Sequence, residues 1–236
     1  RMGREVVQGL DRWCLWMDTE DFDPRDIERS RLLKERVQAC QTWREKQSHT
    51  GDAWKLRDIP YLMRPNKNRP LHPYAAIPAV VSGSRQFFTC AYYSESVIAG
   101  NKVFTAIDTD GFLFAIISSS MFITWQKAVG GRLKSDLNFS NKIVWNTLPL
   151  PEVSDKLRTE IIAAGQGVLD ARAEQPGASL ADMYNPLAMA PSLLKAHRVL
   201  DRAVDRAFGA KKALDTNEQR LAILFKRYQE MTATDS

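Results

Sequence analysis

The stretch that decides the fold class is residues 112–140, F-L-F-A-I-I-S-S-S-M-F-I-T-W-Q-K-A-V-G-G-R-L-K-S-D-L-N-F-S. Its first part, residues 112–129, is apolar nearly all round, which predicts a buried helix that ends at Gly130 and Gly131. Polar and apolar side chains then alternate at a period of two over residues 132–140, which predicts a strand with one buried face. A buried helix followed directly by a half-buried strand indicates a mixed α+β fold.

The polar face of that predicted strand presents Lys134, Asp136, Asn138 and Ser140. A cation, an anion, an amide and a hydroxyl are the hydrogen-bonding groups that distinguish base pairs in the DNA major groove. Lysine suits the two acceptors of guanine, aspartate accepts from the cytosine amine, and asparagine bridges the adenine edge. The alternative is a strand face that contacts only solvent.

The formal charge of +5 is unevenly distributed along the chain. Residues 59–94 contain no acidic residue, and residues 111–151 contain a single acidic residue, Asp136. After residue 151, acidic and basic residues balance. This distribution favours a polyanionic partner for the first part of the chain, and ordinary scattered surface charge is the alternative. The basic residues of the two stretches are Arg64, Lys67, Arg69, Arg85, Lys127, Arg132, Lys134 and Lys142.

Several protein classes are disfavoured by what the sequence lacks. No apolar run approaches the ~20 residues of a membrane-spanning helix, so we expect no membrane partner and a cytoplasmic location. Cys14, Cys40 and Cys90 are odd in number and widely spaced, which argues against a disulfide framework and a zinc site. The sequence contains no phosphate-binding glycine loop and no nucleophile elbow. It does not resemble a complete enzyme, and nothing in the residue spacing supports a small enzyme built on Ser119 or the acids near Asp21.

The other local patterns predict two parts. We expect a recognition domain over residues 1–151, with a twisted, mostly antiparallel sheet and flanking helices, and an all-helical subdomain over residues 152–236. Trp125 is expected in the core, and His197 is expected to be buried and hydrogen-bonded.

In the first part, the expected elements are a strand or strand pair over residues 5–17, a helix capped by Asp23 that runs to about residue 46, a loop over residues 47–72, strands over residues 76–82, 86–93 and 102–107, a hairpin turn at residues 82–85, and a strand continuation at residues 143–145. In the second part, helices are expected after Ser154, from Pro191 and from about Thr216.

Several motifs resemble those of the MmeI-like enzymes, which are single-chain type II restriction–modification proteins. The most specific are G-G-R-L-K-S-D at residues 130–136 and L-D-R-A-V-D-R-A-F-G at residues 200–209. The likeness covers essentially the whole chain and implies a target-recognition domain followed by a C-terminal helical segment. The parent enzymes of this family fuse that region to an endonuclease and an adenine amino-methyltransferase. The further matching motifs are R-W-C-L-W-M at residues 12–17, V-Q-A-C-Q-T-W-R-E-K at residues 37–46 and I-P-A-V-V-S-G-S-R at residues 77–85.

The resemblance also implies roles for individual residues, because alternate positions after the G-R-L motif specify bases in this family. Lys134 would face guanine and Asp136 its paired cytosine. Asn138 and Ser140 occupy the next alternating positions. Asn138 stands where an arginine is often found, so the base that it contacts stays open, with adenine favoured only by the geometry of the amide. The candidates for contacts to the DNA backbone are Arg132, Arg85, Ser84, Arg64, Lys67 and Arg69.

The resemblance implies double-stranded DNA as a partner, together with the methyltransferase domain of the same parent chain. S-adenosylmethionine, and Mg²⁺ for cleavage, are expected in the parent chain, with no cofactor expected in the part given by this sequence. The implied function is sequence-specific DNA recognition within a bacterial restriction endonuclease and adenine-N6 methyltransferase. A structural or protein-interaction module without base recognition is the alternative.

Overall fold

The structure, a computed structural model, describes residues 1–64 and 69–233 and divides into two compact units. One unit comprises Arg1–Asp11 and Pro70–Ser236, and the other comprises Arg12–Arg69. Small antiparallel sheets and many helices make up the larger unit, and every regular element after residue 153 is a helix among the described residues. The predicted α+β class is therefore confirmed, as is the helical C-terminal region.

The strand predicted over residues 5–17 is wrong. Helix α1 spans Gly3–Gln8, and residues 10–17 have no regular secondary structure. The Glu5 carboxylate accepts from the Met2 amide at 2.8 Å, and Val6 is buried in a small cluster with Tyr74. Gly9 then takes a left-handed conformation with φ of 63°, which ends the helix. The apolar residues that suggested a strand lie largely beyond this end, and Trp13 is 90% exposed.

The smaller unit is helical. The predicted cap at Asp23 is confirmed, because its carboxylate accepts from the Arg25 amide at 2.9 Å. The single helix predicted to residue 46 is interrupted at Ser30, whose hydroxyl caps a new helix by accepting from the Leu33 amide. Arg44 is buried and donates to three backbone carbonyls further along the chain. The elements are a 3₁₀ helix over Pro24–Arg29, helix α2 over Arg31–Glu45 and helix α3 over Asp52–Lys55, which lies in the stretch predicted as a loop.

Among the described residues, six short strands form two three-stranded antiparallel sheets in the larger unit. The strands are β1 over Tyr74–Pro78, β2 over Val80–Val81, β3 over Ala91–Tyr93, β4 over Val103–Ile107, β5 over Gly131–Leu133 and β6 over Asp136–Asn138. The first sheet has the order β3-β1-β4 and the second the order β2-β6-β5. A turn does form at residues 82–85, but it does not connect a hairpin, because β2 pairs with β6 while β3 pairs with β1.

The apolar stretch before the second sheet forms two helices instead of the single predicted one. Helix α4 spans Phe112–Ser118 and helix α5 spans Ser120–Val129, with a bend of 62° between them. Ser119 is extended at the break, and its hydroxyl donates to the Ile116 carbonyl at 2.6 Å and accepts from the Phe122 amide. Asp201 holds the start of α5 by accepting from both the amide and the hydroxyl of Ser120, at 2.7 and 2.6 Å.

The C-terminal helices close the core over α4 and α5. They are α6 over Asp155–Ala173, α7 over Leu180–Met183, α8 over Pro191–Ala207 and α9 over Asn217–Ala233. Their predicted starts are confirmed by the caps, with Ser154 before α6 and Pro191 at the first position of α8. Gly165 of α6 lies so close to Ala115 that an added Cβ would be 2.7 Å from the Ala115 methyl, so close packing of α4 and α6 requires glycine.

Trp125 of α5 is a central core residue, as predicted, with 1% of its surface exposed. Its indole donates to the Val144 carbonyl at 3.1 Å, and its ring packs against Phe225 and Tyr228 of α9 with centroids 5.6 Å away. Val144 lies in a π-helical turn over Asn141–Trp145, so the strand predicted to continue at residues 143–145 is wrong. The indole hydrogen bond ties this turn to α5.

Within the described ranges, no single helix is both long and apolar enough to cross a membrane. The bent pair of α4 and α5 matches a span by length and composition, and its residues form the centre of the core.

Candidate nucleic-acid interface

Three of the four polar residues predicted on one strand lie on a β-hairpin, and Ser140 follows it. Strands β5 and β6 pair antiparallel with Leu133 opposite Asp136, so Lys134 and Ser135 form a two-residue turn. From Asp136 onward the predicted alternation is correct: Leu137 and Phe139 are buried at 1% and 4% exposure, while Asn138 is exposed. Before Asp136 it is wrong, because Leu133 is 57% exposed. Residues 131–138 are called the recognition hairpin below.

Lys134 lies at the tip of this hairpin in a strained backbone conformation. Its φ is 57°, and in the described part of the chain only Lys102 shares a positive φ among residues other than glycine. A left-handed conformation costs roughly 1–2 kcal/mol for a residue with a Cβ, and glycine would avoid that cost. Strain of this kind is concentrated at functional sites, where the position of the side chain outweighs the cost. The exposed Lys134 ammonium is therefore a candidate ligand-binding group.

Asp136 is half-buried and is held by the neighbouring turn at residues 82–85. Its Oδ1 accepts from the Gly83 amide at 3.4 Å. Among the described residues, no hydrogen bond is made to its Oδ2, so that oxygen remains available as an acceptor. Lys134 and Asp136 thus place a donor and an acceptor two residues apart on one hairpin.

The body of the hairpin is attached to the core behind it. The Gln126 side chain of α5 donates to the Asn138 carbonyl at 3.2 Å, and the Phe139 amide donates to the Ala79 carbonyl at 2.8 Å. The Asn138 side chain is left exposed on the polar face. Ser140 is partly engaged, since its hydroxyl caps the π-helical turn by accepting from the Ile143 amide at 3.3 Å. Its proton is still free to be donated.

One predicted backbone contact lies within this hairpin, and another lies in the neighbouring turn at residues 82–85. Arg132 is exposed, and its guanidinium donates to the Ser135 carbonyl at 3.3 Å across the turn. Ser84 is exposed in the turn at residues 82–85, with its hydroxyl 3.0 Å from that of Ser82. Both side chains can reach a ligand that contacts the hairpin tip.

Arg85, a third predicted backbone contact, is buried at 6% exposure and hydrogen-bonded to Thr89. Burial lowers the pKa of Arg85, and the guanidinium faces the protein interior. A buried guanidinium cannot contact phosphate without a rearrangement, so we exclude Arg85 from the interface. The arginine packs the turn onto the core instead.

The remaining predicted contacts belong to the smaller unit or lie outside the described residues. Arg64 is exposed and pairs with Asp52 at 3.0 Å. The Arg69 guanidinium lies over the Trp16 ring, 4.5 Å from its centroid. Lys67 lies outside the described residues. The backbone contacts of these three residues stay predictions.

Sequence reasoning missed Lys127 and Gly83. The Lys127 ammonium donates to the Arg85 carbonyl at 3.1 Å, which joins α5 to the turn at residues 82–85. Burial lowers the pKa of Lys127, and the charge of Arg132 lowers it further. The only signal for Gly83 was its place in S-G-S, which suggested a turn but not a contact with residue 136.

The serine of the small-enzyme alternative has a structural role. Ser119 and Ser120 cap the broken helix, as described above. In the part of the chain that the structure describes, no group of three or more His, Cys, Asp or Glu side chains could hold a metal ion.

His197 is buried and hydrogen-bonded, as predicted. Its Nε2 lies 2.7 Å from the Tyr184 hydroxyl, which also accepts from Arg172 at 2.8 Å, and its ring stacks on Phe87. Burial and the Arg172 charge hold the pKa of His197 well below its usual range, so the ring is neutral at pH 7. This network joins α6, α7 and α8 inside the protein.

Comparison with known proteins places these features in a family. Residues 1–152 match the family described as MmeI, target recognition domain, and residues 153–235 match the family described as MmeI, C-terminal domain. The chain belongs to the MmeI family. The recognition hairpin lies within the part that matches the target recognition domain, and α6–α9 lie within the part that matches the C-terminal domain.

Two relatives extend this MmeI match over nearly the whole chain. DNA methyltransferase A of Bacillus subtilis (strain 168) is 34% identical over 234 residues, which are 97% of this chain and 25% of that protein. The solved structure of the type IIL restriction–modification enzyme MmeI in complex with DNA has a TM-score of 0.83 and 33% identity. The matched region covers 99% of this chain and 30% of the MmeI chain. This chain therefore spans about a quarter to a third of the length of the relatives that it matches.

Proposed function

We propose that this chain is the sequence-recognising part of a restriction–modification enzyme and that it binds double-stranded DNA through the recognition hairpin. The observation that carries the proposal is the pairing of Lys134, a donor held at a strained tip, with Asp136, an acceptor oriented by a neighbouring amide. A donor and an acceptor side by side match one G·C pair in the major groove, with Lys134 facing guanine and Asp136 facing cytosine.

The neighbouring residues would complete the interface. Asn138 is exposed on the same face and would contact the next base pair, and Ser140 would contact an adjacent one through its hydroxyl proton. Arg132 and Ser84 would contact phosphate and fix the register of the hairpin on the duplex. Arg64, Lys67 and Arg69 remain proposed phosphate contacts from the smaller unit.

The chemistry of the parent enzyme would come from outside this chain. Restriction–modification and DNA methyltransferase are the activities named for the two relatives. We propose that the recognition part, over residues 1–151, and the helical part, over residues 152–236, work with an adenine-N6 methyltransferase domain of the same parent chain. S-adenosylmethionine, and Mg²⁺ for cleavage, would bind to that parent chain, in the cytoplasm of a bacterium.

The test is selection of bound sequences from a pool of randomised duplexes by the full-length protein. Lys134→Ala and Asp136→Asn should each lose preference at the same single G·C position, by about 5- to 150-fold, which corresponds to roughly 1–3 kcal/mol per bidentate contact. Lys156→Ala is the control, because Lys156 is an exposed cation on α6, outside the hairpin.

All three variants should retain the other positions of the selected sequence. A wild-type protein that enriches no sequence, or variants that select the wild-type sequence unchanged, would reject base recognition. The first of these results would favour the structural or protein-interaction alternative.

A further inference from the structure

The turn at residues 82–85 contacts the recognition hairpin at a point where no side chain fits. A Cβ added to Gly83 would lie 2.3 Å from the Ser135 carbonyl oxygen and 3.4 Å from the Arg132 guanidinium. The first distance is far inside van der Waals contact, and the obstructing atom is backbone. Any residue other than glycine must therefore move the turn, the hairpin or both.

The same glycine makes a directed contact to the side chain proposed to recognise cytosine. The Gly83 amide donates to Oδ1 of Asp136 at 3.4 Å, which restrains the rotation of the carboxylate. Oδ2 accepts no hydrogen bond from the described residues, so it remains available as an acceptor. The Gly83 amide lies beside Asp136 because its backbone approaches the hairpin more closely than a Cβ would allow.

Two hydrogen bonds hold the turn in place, one within the turn and one from α5. The Arg85 amide donates to the Ser82 carbonyl at 3.3 Å within the turn, and the Lys127 ammonium donates to the Arg85 carbonyl at 3.1 Å from α5. The Gly83 backbone is not in the left-handed region, so alanine at this position carries no intrinsic backbone strain. An effect of Gly83→Ala would therefore come from the contact with the hairpin.

We infer that Gly83 is a positioning residue for sequence specificity. It need not touch DNA, because it fixes the orientation of the Asp136 carboxylate and the distance between the turn and the hairpin tip. Lys127 supports it by anchoring the turn to α5. The inference rests on the proposed function, since it explains how the hairpin discriminates a base pair.

The experiment compares Gly83→Ala with Gly167→Ala in the full-length protein. Gly167 lies in α6 with nothing within 4 Å of its added Cβ, so it controls for the extra methyl group. We expect Gly83→Ala to lower discrimination at the base pair assigned to Asp136 by roughly ten-fold, the scale of one hydrogen bond to a charged group. Discrimination at the other pairs should be unchanged, a pattern that general destabilisation would not produce.

A double variant tests whether the two residues act together. If Gly83 acts through Asp136, Gly83→Ala should add little to the effect of Asp136→Asn, whereas independent residues would give additive effects. Gly83→Ala that discriminates like Gly167→Ala, or whose effect adds fully to that of Asp136→Asn, would overturn the inference.

If Gly83→Ala does not fold, the variant Lys127→Met tests the inference in its place. It removes the anchor of the turn while keeping an apolar stem, so it should weaken discrimination at the same base pair. Unchanged discrimination in Lys127→Met would then overturn the inference. Unchanged discrimination in Asp136→Asn would instead reject the proposed function, so the two failures are distinguishable.

Discussion

Removal of the Arg220 guanidinium from α9 should destabilise the larger unit in a pH-dependent way. Arg220 is 6% exposed and makes two hydrogen bonds to Asp205, at 3.0 and 2.8 Å, and a third to the Leu214 carbonyl. Burial raises the pKa of Asp205 to about 6, although the hydrogen bonds from Arg220 act in the opposite direction. At pH 7 the aspartate is therefore ionised and paired inside the protein.

The sign of the pH effect follows from this raised pKa. The preference of folded Asp205 for its proton adds to the free energy of unfolding. This contribution is fully present below the ordinary aspartate pKa of 3.8 and is lost as the pH rises through about 6. Arg220→Met removes the counter-ion and raises the folded-state pKa of Asp205 further, so the loss continues to higher pH. The variant should cost about 3–5 kcal/mol at pH 8, the scale of a buried pair broken on one side.

Near pH 5 the same substitution should cost less, about 1–2 kcal/mol, because Asp205 takes up a proton and no aspartate charge is left buried without its counter-ion. The assay is urea unfolding followed by helical circular dichroism at both pH values. Arg158→Met is the control: its pair with Asp110 is about 40% exposed on each side, so it should cost less than ~1 kcal/mol at either pH. An Arg220→Met cost that is equal at both pH values would refute the reasoning.

Three further outcomes are expected. Lys134→Gly should leave the free energy of unfolding within ~1 kcal/mol of wild type, since relief of left-handed strain offsets the entropy of glycine, yet it should lose discrimination at one G·C pair as Lys134→Ala does; retained discrimination would contradict the role of the ammonium. Arg132→Met should make the negative slope of log affinity for DNA against log salt concentration shallower by about 0.9, while Arg85→Met should leave the slope unchanged. Equal slopes for the two variants would contradict their different exposures. Because the pKa of His197 is depressed, its neutral ring stabilises the fold above about pH 6.5, and this contribution is lost as the pH falls. In His197→Gln, the free energy of unfolding in urea should therefore decrease less steeply below that pH than in the wild type. An equally steep decrease would contradict this prediction.

The helices of the C-terminal region could be predicted because their signals are local. Ser154 and Pro191 mark the starts of α6 and α8 within one turn of the residues that they cap. The break between α4 and α5 could not be predicted in this way. It depends on Asp201, which lies 81 residues away in sequence from the Ser120 groups that it binds.

The candidate site was predicted in part. The alternation correctly placed Asp136 and Asn138 on one face, because that pattern survives from Asp136 onward. The reversal of the chain at Lys134 and Ser135 was missed, since tight hairpin turns usually carry glycine or asparagine and this turn has neither. The burial of Arg85 was missed for another reason: packing against distant residues, and not local sequence, decides which cations face solvent.

Exchange of the two charges at the hairpin tip tests the central claim most directly. The double variant Lys134→Glu and Asp136→Arg reverses the order of donor and acceptor, so the full-length protein should now select C·G where the wild type selects G·C. All other positions of the selected sequence should stay the same. An unchanged selected sequence, or changes spread over several positions, would contradict recognition of one base pair by Lys134 and Asp136.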